Sequence, residues 1–154
     1  MNPFRTLLIP LALTAWTPAR PALAQSAPDL RGAWEATRYI MADGTIHAVR
    51  GHIFFEEREW TVLFFVLDGE GHPRRGSAEG GTYRLEGTTL TFTHEYNLSA
   101  GDAMPGLPDA PLQLTVRDPG TGPEEPSVVT LAGNRLSIDF PSGNRLRFIR
   151  LPNR

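Results

Sequence analysis

The stretch that decides the fold is TYRLEGTTLTFTHEY, residues 82–96. Side chains of a β-strand point to opposite faces with a period of two. In the second half of this stretch every other residue falls on one face, in the order Leu90, Phe92, His94 and Tyr96. Glu86-Gly87 has the composition of a two-residue turn between strands. The stretch therefore predicts an antiparallel β-hairpin with one largely apolar face.

The same pattern continues outward along the chain in both directions. Gly, Pro, Asn and Asp interrupt it every 8 to 12 residues or so, a spacing typical of all-β domains. No window longer than two turns has helical periodicity. Besides the two arms at 82–85 and 88–96, we expect strands at 34–40, 46–56, 59–67, 112–117, 127–131, 135–140 and 145–151. The Gly-rich or Pro-rich stretches are predicted to be loops: 68–80 (which holds Arg74 and Arg75), 97–111 and 118–126.

Short connections make sequence neighbours antiparallel neighbours in space. A long meander removes its open edges best by closing into a barrel, whereas a two-sheet sandwich needs longer crossovers than most of these turns allow. We therefore predict one all-β domain over residues 25–154, an antiparallel up-and-down barrel of about 8–9 strands. The run 59–67 is apolar on both faces, so its outward face must be covered or must form an exposed apolar patch.

Residues 1–24 are predicted to be a signal peptide. They contain Arg5, an apolar run from Leu7 to Trp16, and the small-x-small cleavage pattern Ala22-Leu23-Ala24. The alternative, a transmembrane anchor, needs roughly 20 apolar residues, and prolines and an arginine interrupt the run before that length. We expect cleavage after Ala24 and a periplasmic or secreted protein with no membrane span in the mature chain.

Composition excludes several classes of function. The 154 residues include no Cys, and all 15 basic residues are Arg. Disulfide scaffolds, thiol nucleophiles, Cys-ligated metals and lysine Schiff bases are therefore excluded. Residues 25–154 hold 13 Arg and 17 acidic residues, a formal net charge of −4, which argues against nucleic acid as a partner. The four histidines lack metal-ligand spacing, so neither a metal nor a cofactor is predicted.

The segment Asp29-Leu30-Arg31-Gly32-Ala33-Trp34 resembles the Gly-x-Trp start of lipocalins and of bacterial lipocalin-like (calycin-type) domains. The run from Gly80 to Phe92 is similar to a hairpin common in the bacterial relatives. This resemblance implies a barrel base closed by Gly32, Trp34 and an Arg of the last strand, namely Arg150, with Arg147 as the weaker candidate. It also implies an internal cavity for a small hydrophobic molecule. The chain departs from classical lipocalins in its short length, its lack of Cys and the absence of a C-terminal helical pattern.

Regular alternation from Trp34 would place Arg38 inside the barrel, and alternation from Leu90 would place His94 and Tyr96 there. Polar side chains in a barrel are unfavourable unless something satisfies them. One interpretation is that these groups and Tyr83 orient the polar end of a ligand against the aromatic walls formed by Trp60 and Phe92. The alternative is that they pair with one another, or with Glu86 or Glu95, and bind nothing.

Three functions fit these expectations. The first is an exported carrier of a small hydrophobic molecule, which requires a cavity of roughly 300 Å³ or more. The second is an envelope-located interaction module, such as a hydrolase inhibitor, with a packed barrel and a protein partner at loops 68–80 and 97–111. The third is a cyclase, isomerase or decarboxylase, which requires His94 within hydrogen-bond reach of Arg38 or Tyr96.

Overall fold

The computed structural model describes residues 27–152, so the predicted signal peptide lies outside the described residues. The described chain consists of strands joined by turns and loops. The nine strands are β1 (Gly32–Ile40), β2 (Ile46–Phe55), β3 (Glu59–Leu67), β4 (Pro73–Glu86), β5 (Thr89–Gly101), β6 (Ala110–Val116), β7 (Glu124–Ala132), β8 (Arg135–Asp139) and β9 (Arg145–Arg150). No helix among residues 27–152 has the length and apolar character needed to cross a membrane.

Eight of the strands close into a ring. Strands β1 to β5 pair in sequence order, β5 pairs with β7, and β7, β8 and β9 lead back to β1. Every pairing is antiparallel. Strand β6 stands outside the ring, because it pairs with the second half of β5 while β7 pairs with the first half. The predicted antiparallel up-and-down barrel is confirmed.

All three predicted loops are wrong in extent. Most of 68–80 belongs to β4, β5 continues through Gly101 into the stretch 97–111, and β7 begins at Glu124 within the stretch 118–126. Glycine weakens a strand because it has no side chain to pack, but here aromatic rings of neighbouring strands occupy the space. A Cβ atom at Gly76 would lie 3.1 Å from the ring of Phe65, and one at Gly80 would lie 2.3 Å from the ring of Tyr96. The glycines therefore indicated close cross-strand packing rather than a loop.

One end of the barrel is closed by Trp34. Its side chain is fully buried, and its Nε1 donates a hydrogen bond to the Leu30 carbonyl at 2.7 Å. The Arg150 guanidinium lies 4.0 Å from the indole centroid and donates to the carbonyls of Asp29 and Arg31 at 2.7 Å each. Residues 29–31 thus cross the barrel base, and Gly32 (φ 113°) turns the chain from this crossing into β1.

Residues 102–109, here called the strap, lie at the end of the barrel opposite Trp34 and extend towards the β1–β2 turn. Arg75 of β4 holds both ends of the strap, since its Nη1 donates to the carbonyls of Asp102 at 2.6 Å and Pro108 at 2.5 Å. At its middle, Nε2 of His47 lies 2.9 Å from the Pro105 carbonyl oxygen. Met104 and Leu107 pack against the core from above.

Candidate functional site

A cavity of about 620 Å³, open to solvent on one side, extends into the half of the barrel that lies away from Trp34. This volume lies within the range of small-molecule sites, roughly 300–1,000 Å³. Side chains fill part of the interior, because Trp60, Phe92 and Phe148 at the bottom of the cavity also belong to the packed core and expose 4% of their surface or less. Aromatic side chains form much of the wall, namely Tyr39, Trp60, Phe64, Phe92, Phe140 and Phe148.

The cavity opens through the side of the barrel. The β7–β8 ladder extends only to the pair of Val128 and Asp139, so residues 124–127 of β7 have no partner in β8. Pro126 fits this position because a proline cannot donate to a ladder that is absent. The opening lies between the start of β7 and the turn after β8, and its rim is formed by Pro123, Pro126, Pro141 and Ser142.

A polar cluster lies at one side of the cavity. Nδ1 of His94 lies 2.9 Å from Oε2 of Glu79, and its Nε2 lies 3.3 Å from Oε2 of Glu125. The Ser77 hydroxyl donates to Oε1 of Glu79 at 2.6 Å. Three strands supply this cluster, because Glu79 belongs to β4, His94 to β5 and Glu125 to β7.

The two carboxylates hold a proton on His94. Hydrogen bonds to Glu125 and Glu79 raise the pKa of His94 to about 9, against the effect of burial. Burial raises the pKa of Glu79, but hydrogen bonds from His94 and Ser77 outweigh it and leave that pKa below its usual value. At neutral pH the cluster therefore contains one imidazolium and two carboxylates, with a net charge of −1.

The prediction that Arg38 and Tyr96 face inward is wrong, and both errors have the same cause. In β1, Ala36 pairs with Phe148 and Arg38 with Arg147, so β1 carries one residue more than β9 at this point. In β5, Glu95 is the extra residue, since Tyr96 pairs with Gly80 and His94 with Gly81. Each β-bulge reverses the alternation beyond it.

As a result, Arg38 is exposed on the outer face, in a groove that also contains Arg135 and Arg147. Tyr96 lies outside the barrel with 43% of its surface exposed. The constellation required for the predicted enzyme, His94 beside Arg38 or Tyr96, is therefore not assembled in the cavity.

The structure brings three of the six predicted ligand-binding residues together, since Trp60, Phe92 and His94 all line the cavity. Tyr83 lies instead near the closed end, where its hydroxyl donates to the Glu56 carbonyl at 2.8 Å. The alternative interpretation had these polar groups pair with one another or with Glu86 or Glu95, but the carboxylates that contact His94 are Glu79 and Glu125. Glu95 is buried, and its Oε1 accepts a hydrogen bond from the Gly120 amide at 2.9 Å.

Sequence reasoning missed Tyr39, Glu79 and Glu125. Tyr39 follows the bulge in β1 and so points inward, against Phe64. The two glutamates fall in stretches predicted to be loops, 68–80 and 118–126, whereas β4 and β7 include them. One feature of the sequence could have pointed to the glutamates. His94 falls on the apolar face of its strand, and a histidine in that position needs polar partners from neighbouring strands.

The cluster is not arranged as a metal site. The two nitrogens of His94 contact carboxylates on different strands, and the described residues contain no group of three or more His, Asp or Glu side chains that could hold a metal ion. One polar atom of the wall is unsatisfied within residues 27–152, namely the buried Nε1 of Trp60.

The outer surface has an apolar face as well. Leu63 and Phe65 of β3 are exposed there, as the two-sided pattern of 59–67 predicted. The face continues across β4 and β5 to the edge strand β6, which pairs with β5 alone in the described structure. The exposed fraction is greatest on β6, where 86% of the surface of Val116 is accessible. Leu112 and Leu114 of β6 and Leu98 of the neighbouring β5 are also exposed.

Comparison with known proteins gives one structural likeness. No protein-family model matches the chain, and no curated protein sequence matches it significantly. The chain is similar to a lipocalin-like protein from Bacteroides uniformis ATCC 8492 whose crystal structure is known, with 19% sequence identity and a TM-score of 0.49. The match covers 80% of this chain and 100% of that one. By its own strand order, the described chain is a closed eight-stranded antiparallel barrel with one additional strand, and Arg150 lies over Trp34 as the resemblance to lipocalin-like domains implied.

Proposed function

We propose that this protein is exported and that it binds or carries a small hydrophobic molecule inside its barrel. The observation that carries this proposal is the cavity of about 620 Å³, with aromatic walls and one polar cluster. Apolar walls with a few placed polar groups are the usual composition of a small-molecule site. The side opening between β7 and the turn after β8 provides a path for entry. Export rests on the predicted signal peptide, residues 1–24.

A second candidate is a protein-interaction module, and the open edge of β6 favours it. An exposed edge strand presents unpaired backbone groups to which another chain can add a strand. Strand β6 contains no charged residue to oppose this addition. The stretches 68–80 and 97–111, expected to form the contact surface as loops, are partly strand in β4, β5 and β6, so the candidate contact surface shifts to the β6 edge.

Native mass spectrometry tests both candidates in one experiment. The full chain is expressed with its own N-terminus in a bacterial host and purified from the periplasm without denaturation. We expect a chain shortened by the 24 predicted leader residues, carrying a small non-covalent adduct that is released on activation. A chain of full mass in the cytoplasm would contradict export.

The same spectrum separates carrier from interaction module. An adduct of small-molecule mass supports the carrier. A dimer or a protein complex with an empty barrel supports the interaction module. To cover a host that lacks the ligand, the purified protein is then titrated with the neutral apolar fluorophore N-phenylnaphthylamine. Failure of this probe to bind in the barrel would overturn the carrier proposal.

A further inference from the structure

The charged groups around the cavity carry information about the ligand's polar end. Among the described lining residues the ionisable side chains are Glu79, His94, Glu124, Glu125 and Tyr39, and none is an arginine. Glu124 is already neutralised, because Arg84 binds its carboxylate from outside the barrel at 2.5 and 2.9 Å. The unbalanced charge at the cavity is therefore the net negative charge of the Glu79, His94 and Glu125 cluster.

The hydrogen-bonding capacity of this cluster also favours a cationic ligand over an anionic one. Both ring nitrogens of His94 are occupied by carboxylates, so the imidazolium has no N–H left for an anionic ligand. Glu79 accepts hydrogen bonds on both oxygens, from Ser77 and His94. Glu125 uses Oε2 alone, and its Oε1 forms no hydrogen bond with the described residues. Its side chain is about one-third exposed and lies at the side opening, where a ligand can reach it.

The aromatic part of the wall suits the apolar part of such a ligand. The face of an aromatic ring attracts cations, and the cation that the rings contact here is the imidazolium of His94 itself. Trp60 and Phe92 pack next to His94, with ring centroids 5.2 and 6.2 Å from its ring. A positively charged group near Glu125 would meet a carboxylate oxygen of a cluster with net negative charge. An alkyl carboxylate would meet that same negative charge and, among the lining residues, only neutral donors: the hydroxyls of Tyr39 and Ser142 and the unpaired Nε1 of Trp60.

We propose that the cavity selects apolar molecules that carry a protonated amine, with the ammonium group at Glu125 and the apolar part against the aromatic wall, and that it discriminates against fatty-acid carboxylates. This inference rests on the proposed function, because it assumes that the cavity binds an apolar molecule. It adds the chemical class of the polar group.

The test compares three ligands that share a ten-carbon chain and differ only at one end: decylamine, decanol and decanoate. Each displaces N-phenylnaphthylamine from the purified protein at neutral pH, below its micelle concentration, with one-to-one stoichiometry confirmed by calorimetry. We expect decylamine to bind roughly tenfold more tightly than decanol, and decanoate to bind most weakly. Decanol or decanoate binding as tightly as decylamine would overturn the inference and leave the carrier function standing.

Two variants locate the preference. Glu125→Gln is expected to weaken decylamine binding about tenfold. The difference in affinity between decylamine and decanoate should therefore become smaller. The control Glu35→Gln removes the same charge from the exposed outer face of β1 and should change neither affinity. Equal effects of both variants would assign the preference to overall charge and would contradict a role for Glu125. If Glu125→Gln does not fold, the comparison of the three ligands on the unmodified protein still tests whether the cavity prefers an amine. If the fluorophore itself does not bind, the proposed function fails and not only the preference.

Discussion

At the scale of single residues, the partners of the partly buried His94 decide what the site can do. His94 occupies a position that alternation assigns to the core, and an imidazolium there would be unstable alone. Glu79 and Glu125, both distant from it in sequence, hold it charged. The same contacts occupy both of its N–H groups, so His94 does not act as a free general base at neutral pH. In this barrel it organises two carboxylates.

The raised pKa of His94 predicts how stability depends on pH. A histidine whose folded pKa is about 9 and whose unfolded pKa is about 6.5 contributes its full stabilisation below pH 6.5 and loses it as the pH rises through 9. We expect the free energy of unfolding to fall by on the order of 3 kcal/mol between pH 6 and pH 9.5, measured by urea denaturation.

The control for this prediction is His94→Gln, which has no proton to lose in this range. Its unfolding free energy should vary little between the same two pH values. If the free energy of unfolding fell equally between pH 6 and pH 9.5 in the unmodified protein and in His94→Gln, the role assigned to the His94 proton would be contradicted.

The lowered pKa of Glu79 affects stability at acid pH, since its stabilisation is present above about pH 4.5 and is lost as the pH falls further.

At the scale of the strand, glycines and bulges shape the barrel wall. Gly51 of β2 faces the interior with φ 148°, a backbone conformation that L side chains rarely adopt. A Cβ atom there would lie 2.1 Å from the Leu63 carbonyl oxygen and 2.4 Å from Cα of Phe64. The two strands can approach this closely only because no side chain lies between them.

We therefore expect Gly51→Ala to destabilise the protein by about 3 kcal/mol or more, since rigid backbone atoms cannot move aside. Denaturant unfolding monitored by tryptophan fluorescence measures this loss. Gly87 provides the matched control, because it also has positive φ (61°) but nothing lies within 4 Å of its Cβ position. Gly87→Ala should cost only about 1 kcal/mol. A similar loss for both variants would attribute the effect to φ alone and not to strand contact.

At the scale of the whole molecule, the barrel is closed at the base and covered at the other end, and its cavity opens sideways. The base depends on Arg150, which stacks on Trp34 and holds the crossing segment 29–31. At the opposite end, the strap is held by Arg75 and contacts His47. The cavity therefore opens through the wall, where residues 124–127 of β7 lack a partner in β8.

Removing the base closure should destabilise the whole barrel. Arg150→Ala removes a cation–π contact and two hydrogen bonds to carbonyls, and we expect a loss of about 2–3 kcal/mol. Trp34→Ala should cost about 3–5 kcal/mol, because it empties a fully buried site. Equilibrium unfolding in urea measures both losses.

The control for the base closure is Arg147→Ala. It truncates an exposed arginine of the same strand that forms no ion pair in the described structure. Its cost should stay within about 0.5 kcal/mol. Indistinguishable effects of Arg147→Ala and Arg150→Ala would contradict the closure at Trp34.

The sequence by itself determined the all-β class, the barrel and most strand positions, because alternation and turn residues act locally. The contact of Trp34 with an arginine of the last strand was implied by the resemblance to lipocalin-like domains, and the neighbouring first and last strands of a closed meander pointed to Arg150. Only the tertiary structure decided the site. One inserted residue in β1 and another in β5 reverse which side chains enter the barrel, so that Tyr39 lies inside while Arg38 and Tyr96 lie outside. A bulge is defined by the partner strand that it opposes, and the pairing of His94 with Glu79 and Glu125 requires three strands in register. Neither property is encoded in the local pattern.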